Sequence, residues 1–140
     1  MINRRKFLGL SAGATALSLS GLSLSANAER VKTSARIVIL GAGAAGTAMA
    51  NRLNENLDGA KIIIIDGRKQ HFYQPGFTLI AAGLKPADYS VSQTADWLPS
   101  GVELIQEAAA EIDPDAKSVT TASGKQVAYD YLVIATGLKL

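Results

Sequence analysis

"RIVILGAGAAGTAMANRL", Arg36 to Leu53, joins an apolar run to an amphipathic one through a turn of glycine and alanine. Arg36 to Leu40 is short, β-branched and apolar without alternation, the pattern of a strand buried on both faces. From Ala44 to Leu57, the residues Ala45, Ala48, Met49, Leu53 and Leu57 recur near one helical face, with Asn51, Arg52, Asn54 and Glu55 mostly elsewhere. Lys61 to Asp66, "KIIIID", repeats the buried-strand pattern. Strand, helix and strand within about 30 residues make a βαβ unit, so the two strands are expected to run parallel.

The turn itself, Gly41-Ala42-Gly43-Ala44-Ala45-Gly46, matches G-x-G-x-x-G. In that pattern the first glycine permits the tight turn, the second lets a pyrophosphate approach the backbone, and the third lets helix and strand pack closely. The helix N-terminus then offers N–H donors and the positive end of its dipole to phosphates, with no lysine needed. Asp66 closes the second strand about twenty residues beyond Gly46, where a carboxylate accepts hydrogen bonds from ribose hydroxyls. Strand, turn, helix and spaced carboxylate together predict a dinucleotide site. NAD, NADP and FAD all use such a turn. Arg68 and Lys69 offer NADP a counter-charge, but Asp66 would repel a 2′-phosphate there, and the two basic residues read better as a solvated loop.

The 140 residues amount to one domain or part of a larger one, and 48% hydrophobic content is enough to build a core. The net charge of +2 is deceptive, because three of the 14 basic residues are Arg4, Arg5 and Lys6, in a segment read below as cleaved. Without them basic and acidic residues nearly balance, so no nucleic-acid footprint is expected. The absence of cysteine excludes disulfides, thiolate metal sites and a cysteine nucleophile within this stretch. With His71 as the one histidine, a histidine-based metal site is not expected either, and His71 reads as a loop residue.

Residues 1–28 have the three parts of a secretory signal. "NRRKFL" contains adjacent Arg4 and Arg5 and resembles a twin-arginine signal. The apolar part is diluted by Gly9, Gly13, Gly21 and serines, and Ala26-Asn27-Ala28 supplies an A-x-A cleavage site. The expected mature start is Glu29, with residues 29–35 a linker and residues 36–140 the folded unit. An uncleaved anchor over Phe7 to Leu24 is the alternative, weakened by its serine and glycine content. The twin-arginine route is associated with folded cargo, which implies a periplasmic destination and hints at a cofactor loaded before export.

Farther on, Val102 to Ile105 reads as a third parallel strand. Ala109 to Ile112, Ser118 to Ala122 and Gln126 to Tyr129 read as a small antiparallel meander, with turns at "DPDAK" and "SGK". Tyr131 to Ala135 is another buried strand, ended by Thr136-Gly137. A short helical stretch is expected around Val91 to Leu98, with Trp97 packed on it.

Dinucleotide turn, meander and "YDYLVIATG" resemble the two-dinucleotide-binding-domain flavoprotein disulfide-reductase superfamily. Within it, "HFYQPGFTLIAAGL" from His71 to Leu84, "AAAEID" and "ATGLKL" look like the sulfide:quinone oxidoreductase branch. The resemblance implies an α/β fold: a Rossmann-like FAD-binding domain with a parallel sheet and βαβ unit plus a small antiparallel meander, present as the N-terminal portion of a longer protein. It implies FAD as cofactor, with Gly41, Ala42, Gly43, Ala44, Ala45 and Gly46 on the pyrophosphate and Asp66 on the adenosine ribose. Gly67 would line the same pocket, Gln74 and Pro75 would approach the flavin, the backbone near Ala108 would meet the adenine, and Thr136 and Gly137 would turn the chain beside the cofactor.

The branch oxidises sulfide through redox cysteines, which in its members lie beyond the position of Thr136-Gly137, and passes electrons through FAD to a membrane quinone. The implied partners are therefore sulfide and a quinone at the periplasmic membrane face, with no catalytic residue in the present stretch. The neighbouring alternatives are the flavoprotein subunit of flavocytochrome c sulfide dehydrogenase, which pairs with a cytochrome c subunit, a type II NADH dehydrogenase, and a noncatalytic FAD-binding module.

Overall fold

The computed structural model describes residues 29–138. The leader read in residues 1–28 lies outside them. In chain order the strands and helices are β1 (Val31–Lys32), β2 (Arg36–Leu40), α1 (Ala44–Asn56), β3 (Leu57–Asp58), β4 (Lys61–Ile65), β5 (Gln70–Phe72), α2 (Phe77–Ala81), β6 (Val91–Gln93), β7 (Val102–Ile105), β8 (Ala109–Asp113), β9 (Ser118–Thr121), β10 (Gln126–Ala128) and β11 (Tyr131–Ile134). Single 3-10 turns occupy Gln74–Gly76, Ala87–Ser90 and Thr94–Trp97.

The central sheet has the order β11-β2-β4-β7, every pair parallel, with Val38 opposite Ile63 on one side and Leu132 on the other. This is the parallel sheet that the two apolar runs predict. Because side chains alternate across a strand, each uninterrupted run feeds two cores at once. Ile37, Ile39, Ile62 and Ile64 point to one face, where Ala50 and Leu53 of α1 meet them, with Ala42 before the helix and Leu57 after it. Val38, Leu40, Ile63 and Ile65 point to the other, against Ile105, Val119, Val127 and Tyr129. The second face is roofed by the antiparallel sheet β10-β9-β8, the predicted meander. Helix, parallel sheet and antiparallel sheet thus form three layers. Each fully buried isoleucine contributes roughly 2 kcal/mol by leaving water.

Leu53 and Leu57 pack on the core as periodicity predicts, but the first turns of the helix present a different face. Gly46, Thr47 and Ala50 are buried, whereas Ala45, Ala48 and Met49 are exposed. The cause is the close approach at Gly46: a Cβ there would stand 3.0 Å from the Gly41 carbonyl carbon and 3.4 Å from Ile39 Cγ2. Small residues go inward because α1 runs against the turn that starts it. Thr47 can be buried with them because its hydroxyl donates to the Ala42 carbonyl at 3.1 Å.

The reading of residues 29–35 as a linker also changes. Val31 and Lys32 pair in parallel with Leu57 and Asp58, and Thr33 N–H donates to the Asp58 carbonyl at 2.9 Å, so the segment is stitched to the end of α1. The stretch from Val91 to Leu98 is not one helix. Its first three residues form β6, antiparallel to β5, and only Thr94–Trp97 turn, closed by reciprocal bonds between Gln93 and Asp96. Pairing with a distant strand overrides the local helical preference. Trp97 is exposed rather than packed, and its Nε1–H donates to Ser92 Oγ at 2.8 Å.

Candidate functional site

The C-terminal ends of β2, β4 and β11 meet at one edge of the sheet, and the glycine turn fills the gap between them. Gly41 N–H donates to the Ile65 carbonyl at 2.9 Å, and Ala135 N–H donates to the Leu40 carbonyl at 2.8 Å. Gly41 has φ +95°, and a Cβ on it would stand 2.5 Å from the Ala135 carbonyl oxygen and 2.9 Å from Thr136 Cα. Only glycine satisfies both conditions. Thr136 is therefore brought against the turn, while Gly137 follows with φ +71° and open space where a side chain would be.

The three glycines of the motif differ in what surrounds them. Gly41 and Gly46 have no room because the protein itself fills it. Gly43 has room: the one neighbour within reach of a Cβ is Arg68 Nη2, at 4.0 Å, and its backbone (φ −70°, ψ −174°) suits any residue. Folding does not require a glycine at this position. Gly43 is also the N-cap of α1, with no side-chain cap bonded to the first turn and no acidic residue in it. Ala42 is buried, and Ala44 and Ala45 stand exposed on the opening turn. The arrangement is a bare backbone cradle at the positive end of a helix, shaped to take an anion.

Asp66 continues the alternation of Ile62 and Ile64, so its carboxylate comes to the α1 side of the sheet. Its side chain is 7% exposed. Oδ2 accepts the Ala42 N–H at 2.7 Å and Arg68 Nη2 at 2.9 Å, and Oδ1 accepts the Arg68 N–H at 2.8 Å and Arg68 Nε at 3.2 Å. Burial pushes the carboxyl pKa up, but the hydrogen bonds from Arg68 and Ala42 outweigh it and hold the group below its ordinary range. Arg68 is a solvated loop residue, as read, but it also forms an ion pair with Asp66 that the sequence reading did not include. The bond from the Arg68 N–H to Asp66 Oδ1 closes an Asx-turn, and the side-chain fork follows the backbone onto the same carboxylate. The spacing Asp66-Gly67-Arg68 was the signal for it.

Gly67 and Ala108 also come together: a Cβ on Gly67 would stand 3.3 Å from Ala108 N. Gln74 and Pro75 lie apart from this group, exposed on the 3-10 turn that follows β5. Their link to the cradle runs through His71, which is half-buried in β5 rather than in a loop. Its Nδ1 lies 3.3 Å from the Ala42 carbonyl oxygen, and its ring is 5.8 Å from that of Trp97. Asn51 of α1 reaches the same segment, donating from Nδ2 to the Trp97 carbonyl at 2.9 Å. No local pattern in the sequence announces these ties.

The chain is similar to known proteins. The family model described as pyridine nucleotide-disulphide oxidoreductase matches residues 35–139. The mitochondrial sulfide:quinone oxidoreductase of Mus musculus is 41% identical over 104 residues, 74% of this chain and 23% of that protein. The sulfide-quinone reductase of Aquifex aeolicus is 42% identical over 105 residues, 74% of this chain and 24% of that protein. The X-ray structure of the sulfide:quinone oxidoreductase from Aquifex aeolicus aligns with a TM-score of 0.66 at 37% identity, covering 76% of this chain and 25% of that one. The chain spans about a quarter of the length of these relatives. With the glycine turn, Asp66 and the meander all inside the matched region, the chain belongs to the pyridine nucleotide-disulphide oxidoreductase family.

Proposed function

We propose that this chain forms the adenosine-diphosphate end of an FAD site in an oxidoreductase of the sulfide:quinone type. The observation that carries the cofactor is Gly43, a glycine that the fold leaves open and that an approaching diphosphate requires. Gly41 to Gly46 form the turn that holds the diphosphate, with the N–H groups of residues 43–46 at the start of α1 facing it, Asp66 takes the ribose hydroxyls, and Gly67 with Ala108 borders the adenine. Gln74 and Pro75 extend toward the flavin, and Thr136 and Gly137 close the side next to β11. When bound, FAD supplies two-electron redox chemistry, and the protein's own contribution is to bind and orient it. The identity to sulfide:quinone oxidoreductases supports sulfide as electron donor and a membrane quinone as acceptor for the whole protein.

The leader in residues 1–28 goes with a folded flavoprotein exported by the twin-arginine route to the periplasmic membrane face. A reporter fused to residues 1–28 is expected to stay in the cytoplasm of a host lacking that route, and export there would remove this part of the reading. The cofactor is tested by titrating FAD into the chain and following flavin fluorescence, with NADP as control. Saturable binding of FAD, weakened at least tenfold by Gly43→Val, is expected on the order of one lost diphosphate contact surface. A preference for NADP would overturn the flavoprotein reading.

A further inference from the structure

A carboxylate offers about four lone-pair sites, and at Asp66 every one is occupied within the chain: by the N–H groups of Ala42 and Arg68, and by Nε and Nη2 of Arg68. A ribose diol arriving there has no free acceptor. Two of the four bonds are backbone bonds, fixed by the turns that make them. The other two come from a side chain that is 58% exposed and free to swing into water. The same guanidinium is the one group near the open side of Gly43, so it lies across both surfaces that a dinucleotide would use. Its two donors also present to the carboxylate what a vicinal diol presents, a pair of hydrogens aimed at two oxygens.

We propose that Arg68 is an internal stand-in for the adenosine ribose, holding Asp66 in the free protein and giving way to the diol when a nucleotide binds. The proposal rests on the FAD reading above. It makes Arg68 a competitor of the two ribose hydroxyls, whatever its displaced charge then gains from the diphosphate. It also explains how a buried carboxylate stays ionised and ordered before any ligand arrives: the arginine keeps it paired, and the site has no uncompensated charge to bury.

The test separates diol from phosphate by comparing ADP with 2′,3′-dideoxy-ADP as competitors of FAD, for the wild-type chain and for Arg68→Ala. Any phosphate–arginine attraction is common to both probes and cancels in their ratio. The preference for ADP over the dideoxy probe is expected to rise on the order of tenfold in Arg68→Ala, a coupling of ordinary size for groups in contact. It should rise less in Arg68→Lys, which keeps a charge but not the fork, and vanish in Asp66→Asn. FAD binding with an equal preference in wild type and Arg68→Ala overturns the stand-in and leaves the cofactor reading untouched. Failure of FAD to bind wild type and Arg68→Ala alike removes the cofactor reading, and this proposal with it.

Discussion

Asp130 and Arg36, 94 residues apart in the chain, are joined by three hydrogen bonds: Oδ2 accepts the Arg36 N–H at 2.7 Å and Nε at 3.1 Å, and Oδ1 accepts Nη2 at 2.9 Å. In return Asp130 N–H donates to the Arg36 carbonyl at 2.8 Å. The pair clamps the start of β11 to the start of β2 and so sets the register in which Tyr131 faces Ile37.

The clamp gives the protein an acid-sensitive joint. Side-chain and backbone hydrogen bonds from Arg36 lower the Asp130 pKa from 3.8 to about 2. A carboxyl depressed by folding stabilises fully above its unfolded pKa, and that contribution fades as the pH falls toward the folded one. The thermal midpoint of the wild type should exceed that of Asp130→Asn above about pH 5, and the gap should close between 3.8 and about 2. Parallel pH curves for the two proteins would show that the clamp does not carry the effect.

The glycines of the motif should separate into folding and binding residues. Gly46→Ala forces a methyl against the Gly41 backbone and is expected to cost about 3 kcal/mol in urea unfolding. Gly43→Ser places a favoured N-cap residue in open space, so stability should hold within about 0.5 kcal/mol. FAD affinity should nevertheless fall in Gly43→Ser. Equal destabilisation by both substitutions would mean that the second glycine serves packing after all.

Ile64 is completely buried between Ile39 and Leu104 in the register of the central sheet. Truncation to alanine leaves a cavity facing α1 and is expected to cost about 3 to 4 kcal/mol. Ile112 on the meander is 37% exposed, and its truncation should cost under about 1 kcal/mol by the same measurement. A small effect at Ile64 would place the core elsewhere than between sheet and helix.

Asp66→Asn removes the charge on which Arg68 is folded and turns an amide N–H₂ toward donors. The loss is expected at about 2 kcal/mol, the scale of hydrogen bonds to a charged group. Exchange of the Ala42 amide hydrogen should quicken with it, since that N–H donates to the same carboxylate. Unchanged protection at Ala42 would detach the turn from Asp66.

The sequence by itself determined the elements whose causes are local. Two unbroken apolar runs, a glycine turn and a carboxylate at the right distance specify strand, turn, helix and strand, because chain sterics and side-chain alternation act over a few residues. The meander between "DPDAK" and "SGK" and the strand at Tyr131 were legible for the same reason. The tertiary structure alone decided what depends on residues far apart in the chain. It set β11 beside β2 through Asp130 and Arg36, and it turned Gly46 rather than Met49 into the sheet because the helix must pass the turn that starts it. It made a strand of Val91–Gln93 by giving it Gln70–Phe72 as a partner, and it brought the Ala42 N–H onto the Asp66 carboxylate. In each case a hydrogen-bond partner or a close backbone contact, supplied only once the layers assemble, outweighs what periodicity prefers.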